Sequence, residues 1–98
     1  SDITDAFDEI LRQQGELNRA LTLSLTISQQ NLLRAMSAGE KNLSSQKVMT
    51  EYKLKSSTEV SRARKVLIAN DILDDFGKQY SFEDPIYEFW LRNVFFKD

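Results

Sequence analysis

The chain has 98 residues, 41% of them hydrophobic, a formal net charge of −2, and neither cysteine nor histidine. This suffices for one small domain with a modest core, and it excludes a disulfide framework, thiol nucleophiles, imidazole bases and nearly all zinc and copper sites. No run of about 18 apolar residues offers a membrane span, residues 1–11 (three Asp and one Glu) lack a signal-peptide pattern, and the absence of cysteine suits a cytoplasmic protein.

Thr4 is placed to cap a first helix, with Asp5 and Asp8 in early turns that favour acidic groups. Phe7, Ile10, Leu11, Leu17 and Leu21 give it an apolar side, and Gly15 weakens its middle by roughly 1 kcal/mol relative to Ala. Residues 1–22 read as a helical linker or the end of an upstream element; the other reading is an extra helix packed in this domain. Residues 23–27 alternate apolar and polar, as a short extended piece does. Ser28 then caps a second helix carrying Leu32, Leu33, Ala35 and Met36. Gly39 ends that helix by taking the left-handed conformation. Leu43 pins the polar loop that follows, or forms a minimal strand.

Residues 45–52 make a short helix capped by Ser44 or Ser45, with Val48, Met49 and Tyr52 facing inward. Leu54 lies in a tight turn, where a buried apolar side chain locks two helices together. Ser56 and Glu59 have capping-box spacing. They open a helix in which Val60, Ala63 and Leu67 recur at helical spacing, with Val66 and Ala69 alongside. Lys55, Arg62, Arg64 and Lys65 point away, and Asn70 stops the helix. Helix, short turn and second helix with a basic outer face form a helix-turn-helix.

Two strand-like pieces flanking a turn at Phe76, Gly77 and Lys78 follow, with Tyr80 and Phe82 alternating with Gln79 and Ser81. A hairpin directly after a recognition-type helix is a wing. Asp84 caps the last helix and Pro85 opens it. Ile86, Phe89, Trp90, Asn93 and Val94 make its stripe, and Tyr87, Leu91, Phe95 and Phe96 widen the apolar surface. Phe89 and Trp90 are expected in this domain's own core. The rest is free to face the first helix, another subunit or a further domain, and self-association through this aromatic helix is one expectation. The expected fold class is mainly α with a small β-hairpin: a winged helix-turn-helix over residues 23–98, preceded by an extra N-terminal helix.

The charge is segregated along the chain. Residues 1–23 carry two basic and five acidic side chains, residues 24–69 eight and three, and residues 70–98 three and seven. The middle is therefore basic between two acidic ends. That favours nucleic-acid contact by the helix-turn-helix and disfavours strong binding by the domain as a whole. Ser57, Thr58, Ser61, Arg62 and Lys65 occupy the turns that such helices bring to base edges. Lys47, Lys53 and Lys55 are candidates for phosphate contact, with Lys78 reaching from the wing tip.

Catalytic signatures are missing. Glycine occurs only at positions 15, 39 and 77. Gly77-Lys78 has Ile72 five residues before it and Gln79 after it, so it is no phosphate loop. Asp71, Asp74 and Asp75 cluster near the wing without the spacing of a calcium loop, and read as a solvated turn. Neither enzymatic activity nor a bound metal or cofactor is expected of this chain.

Three stretches, Gln30-Asn-Leu-Leu-Arg-Ala, Tyr52-Lys-Leu-Lys-Ser-Ser-Thr-Glu-Val-Ser-Arg-Ala and Tyr80-Ser-Phe-Glu-Asp-Pro-Ile-Tyr-Glu-Phe-Trp-Leu, resemble the C-terminal winged-helix domain of prokaryotic, archaeal-type AAA ATPases. The resemblance spans roughly residues 23–92, and its most specific part is the aromatic strand with Asp84-Pro85 and Trp90-Leu91. It implies that ATP and Mg²⁺ belong to an upstream ATPase domain, and that residues 1–22 correspond to the end of its lid or a linker. Winged helices of related initiator-type ATPases hold double-stranded DNA; others are protein docking modules. DNA contact and regulatory packing on the ATPase domain or a neighbouring subunit are thus the two expected roles. A free-standing regulator would need a dimerisation element, for which the first helix is the candidate.

Overall fold

The computed structural model describes residues 2–76 and 79–97. In chain order these form α1 (Asp2–Leu23), α2 (Ile27–Ser37), α3 (Gln46–Glu51), α4 (Ser57–Ala69), β1 (Leu73–Phe76), β2 (Gln79–Phe82) and α5 (Pro85–Trp90), which runs into a π-helical turn over Leu91–Phe95. The strands pair antiparallel with Leu73 opposite Phe82 and Phe76 opposite Gln79. A helix-turn-helix followed by a two-stranded wing is the expected arrangement. The expected wing tip, Gly77 and Lys78, lies outside the described residues.

Three consecutive helices stop in the same way. After α2, Gly39 takes φ 92°, its N–H reaches the Met36 carbonyl, and the Glu40 N–H reaches Ala35. After α3, Lys53 takes φ 59° and the Leu54 N–H reaches Met49. After α4, Asp71 takes φ 61° and the Ile72 N–H reaches Leu67. This paired closure satisfies the last carbonyls and turns the chain sharply. The residue just past the left-handed one is buried in two cases, Leu54 and Ile72, so each stop also drives an apolar side chain into the core.

That core is built from Leu32, Leu33 and Ala35 of α2, Val60, Ala63 and Leu67 of α4, Leu73 and Phe82 of the wing, and Tyr87 and Leu91 of the last helix. Val48 and Leu54 are buried, and Met49 and Tyr52 pack against them in part. Leu43 is buried in a turn and pins its loop without forming a strand. Val66 and Ala69 are exposed, and Ile68 takes the half-buried place expected of them. Ala69 falls on the outer half of a helix whose inner side is centred on 60, 63 and 67, while 66 and 68 lie on its two flanks, of which the one carrying Ile68 packs against the core.

Several expected boundaries move. Thr4 lies inside α1, which is already helical at Asp2. Residues 23–27 are not extended: Leu23 ends α1 and Ile27 opens α2. Thr26, not Ser28, caps α2, because Thr26 and Gln29 make the full reciprocal capping box. Ser45 caps α3, accepting the Val48 N–H at 3.2 Å. Asp84 caps α5 with Pro85 in the first turn, as expected.

The two terminal helices depart furthest from expectation. α1 turns Gly15, Asn18 and Thr22 toward the body, while Phe7, Ile10, Leu11, Leu17 and Leu21 stay exposed. Thr22 Oγ1 donates to the Asn18 carbonyl at 2.7 Å and lies 2.6 Å from the Tyr87 hydroxyl. The single Thr22 proton is thus committed, and Tyr87 donates. Arg19 lies over the Phe95 ring at 5.7 Å. Phe89 of α5 is exposed, contrary to expectation; Ile86 and, in the π-helical turn, Val94 are exposed too, and Tyr87 and Leu91 are the buried pair. The Phe96 N–H reaches the Leu91 carbonyl five residues back. That wider turn rotates Phe95 and Phe96 onto the body, which a uniform 3.6-residue period does not foresee.

Candidate nucleic-acid interface

α4 sits on its inner side, so its opposite side is set by geometry alone. At about 100° per residue, Thr58, Arg62 and Lys65 face directly away from Val60, Ala63 and Leu67, and all three are exposed. Ser57 is exposed in the first turn, and Ser61 is half-buried at the edge of the outer face. Lys53 and Lys55 are exposed in the turn leading into α4, and Lys47 is exposed on α3. The backbone at Lys53 is held: its carbonyl ends the left-handed turn and accepts the Asn31 amide at 3.5 Å. Ser56 starts α4, its hydroxyl accepting the Glu59 N–H at 3.1 Å. Eight of the nine candidate contacts therefore lie on the helix-turn-helix. The ninth, Lys78, lies outside the described residues.

The capping box at this helix start is only half made. Glu59 does not reach back to Ser56; its carboxylate accepts a short hydrogen bond from the Ser28 hydroxyl. The first turns of α2 and α4 thus meet around one negative charge, which suits two helix N-termini. A groove of about 450 Å³ opens there, lined by Thr26, Ser28, Ser56, Thr58, Glu59 and Arg62. Glu59 and Arg62 both line this groove, so its charge is mixed. The basic part of the outer face runs from Arg62 to Lys65.

Arg64 does not join them. Its guanidinium lies 3.9 Å from the centroid of the Tyr80 ring, a cation–π contact that ties β2 to α4. The wing base is acidic. The Glu83 carboxyl is held above its ordinary range by a hydrogen bond with Asp74 and by the charges of Asp74 and Asp71. The wing's described part therefore offers positioning, not phosphate attraction. A second groove of about 520 Å³ runs between Met36, Leu43, Tyr80, Phe82 and Pro85, with Glu40, Lys41 and Glu88 on its rim. Among the described residues no group of three acidic or other metal-ligating side chains is arranged to hold an ion.

Sequence reasoning placed the outer face of α4 and missed two things about it. Glu59 bonds across to Ser28, a partner 31 residues away that local spacing cannot reveal. Arg64 counted among the outward charges, yet the alternation that aims Tyr80 at the core also aims it at Arg64.

A family model described as "probable winged helix domain" matches residues 17–93. No curated protein and no solved structure matches the chain.

Proposed function

The chain belongs to the winged helix family, and from that premise we propose that it contacts double-stranded DNA through the outer face of α4. The observation that carries this reading is the outer ridge itself: Thr58, Arg62 and Lys65, exposed in a row on the second helix of a helix-turn-helix. Thr58 and Ser61 supply hydroxyls suited to base edges or phosphates, and Arg62 supplies a planar donor fork. Lys47, Lys53 and Lys55 add phosphate contacts. In this reading the module is non-catalytic. On the resemblance of its three sequence stretches, it serves a cytoplasmic AAA-type ATPase whose ATP and Mg²⁺ are bound by a separate domain.

The test is titration of labelled duplex DNA across salt concentrations. Five cationic side chains (Lys47, Lys53, Lys55, Arg62 and Lys65) set a limiting slope of about −4 to −5 in log affinity against log salt. The double change Arg62→Ala and Lys65→Ala is expected to lower the magnitude of that slope by roughly 2. Arg12→Ala, which removes one positive charge from α1 instead, is expected to leave it in place. No saturable binding at low salt would sink this reading.

A second reading is favoured by Ile86, Phe89 and Val94, which are 70, 61 and 59% exposed on the last helix. Such a patch suits contact with a protein surface, as in a module that packs on an ATPase domain. It predicts that Phe89→Asp abolishes that packing and leaves DNA titrations unchanged.

A further inference from the structure

The side of α1 that faces away from the body is apolar in a regular pattern. Ile3, Phe7, Ile10, Leu17 and Leu21 alternate spacings of four and three, with Gln14 completing the row. In heptad terms 7, 14 and 21 are the a positions, and 3, 10 and 17 are the d positions. This seam sits on one continuous helix. The body packs on Gly15, Asn18 and Thr22, to one flank of it, and leaves it open.

We infer that α1 pairs with α1 of a second copy of this chain, as a parallel two-stranded coiled coil with the two Gln14 side chains facing each other. Four observations select that occupant. First, the area is right. Ile3, Phe7, Ile10, Leu11, Leu17 and Leu21 are 84, 59, 61, 56, 65 and 41% exposed. Together they offer several hundred Å² of apolar surface per chain, the scale of the roughly 800 Å² per partner of a standard interface. Second, the flanking positions 4, 6, 11, 13, 18 and 20 carry no charge, so nothing repels an identical helix and nothing selects a different one. Third, the charges of α1 lie elsewhere: Arg12 bridges Glu9 and Glu16 along the helix's own outer side. Fourth, a lone polar group at an a position fixes register and orientation. In a parallel pair each Gln14 meets its equal. With the seams fully overlapped antiparallel, each would face Ile10 with its amide unpaired. Gln14 already donates to Asn18 at 3.1 Å, which leaves its Oε1 to accept from the second copy.

The inference is independent of what α4 touches. Its test is sedimentation equilibrium of the full chain from low micromolar to submillimolar concentration. The expected result is a mass rising to twice the 11.3 kDa of one chain, and a single-chain mass throughout for Leu17→Asp. Leu17 is largely exposed in the single chain, so the circular dichroism of that variant should keep its folded signature. The chain has no cysteine, so Leu17→Cys gives an orientation test. A parallel pair brings the two thiols together and cross-links under mild oxidation, whereas Glu16→Cys on the outer side does not. A monomer at every concentration, a dimer indifferent to Leu17→Asp, or a dimer in which Leu17→Cys fails to cross-link would overturn the inference.

Discussion

Lys53 and Asp71 stand in the left-handed region at φ 59° and 61°, where a side chain costs roughly 1–2 kcal/mol and glycine costs little. Gly39 at the equivalent place after α2 shows the residue the geometry prefers. Lys53→Gly is expected to raise stability by up to about 1 kcal/mol, measured by denaturant unfolding, while removing one candidate phosphate contact. A lysine there is thus costly to the fold, as a side chain kept for contact would be. Asp71 carries a second cost, because it crowds Asp74 and Glu83. With the Glu83 carboxyl held above its ordinary range, the folded state takes up a proton more readily than the unfolded chain. Its contribution to stability is therefore full below the ordinary carboxylate range and is lost as pH rises through its raised value. Glu83→Gln should then unfold at higher temperature than the parent near neutral pH, and the gap should close as pH falls below about 4. A gap that widened on acidification would reverse the argument. Gly15 behaves differently from the three stops. It is mid-helix, and an added Cβ would meet Trp90 Nε1 at 3.6 Å, ordinary contact. Gly15→Ala should accordingly gain about 0.5–1 kcal/mol of helix stability without lifting α1 off the body.

At the scale of elements, the chain was most legible where one rule decides the outcome. α2, α3 and α4 were readable because their core residues repeat at the helical period, and because Gly39 marks the end of α2 and Ser45 and Ser56 mark the starts of α3 and α4. The wing was readable because Tyr80 and Phe82 alternate. Legibility failed where two rules competed. At the start of α2, Thr26 and Ser28 are both good caps, and only Thr26 has Gln29 three residues on to complete the box. In α1 the apolar residues form a clear face, but periodicity does not say whether that face meets this domain or another molecule. The docked face is the polar one, Gly15, Asn18 and Thr22, chosen by a partner 65 residues away. In the last helix the wide turn at Leu91 breaks the period that would have sorted Phe89 from Phe95. The candidate DNA contacts were legible as positions on α4; the disposition of Arg64 and Glu59 was not, since both depend on neighbours remote in sequence. The Thr22–Tyr87 pair gives an asymmetric prediction. Tyr87→Phe removes a donor while Thr22 keeps its bond to Asn18, costing about 0.5–1.5 kcal/mol. Thr22→Val strands the buried Tyr87 hydroxyl and should cost more, about 1–3 kcal/mol. Equal losses in paired unfolding curves would mean that the hydroxyl finds another partner.

The whole molecule measures 50 × 28 × 21 Å, and α1 supplies much of that length: 22 residues span about 33 Å at 1.5 Å per residue. Residues 3–14 are all exposed, and only the later turns of α1 touch the body. There the contact is polar and narrow: one buried hydroxyl pair, one cation over Phe95 and the Trp90 indole beside Gly15. The core, by contrast, gathers α2, α4, the wing and the last helix around Leu32, Leu33, Leu67, Leu73 and Leu91, each almost fully buried. Opening free energy should therefore rise along the chain in steps. In a dilute monomeric sample, amide hydrogens over residues 6–13 should exchange with little protection, because an isolated helix of this length is marginal in water. Residues 18–23 should exchange by undocking of α1, at a free energy below that of global unfolding. The inner turns of α2 and α4 should exchange only with global unfolding. Uniform protection along α1 in such a sample would mean that its helix is held by contacts other than those at Gly15, Asn18 and Thr22. The division has a functional consequence as well. An arm that can leave the body without unfolding it can change partners while the α4 face keeps its shape, so contact through α1 and contact through α4 need not be made by one rigid surface.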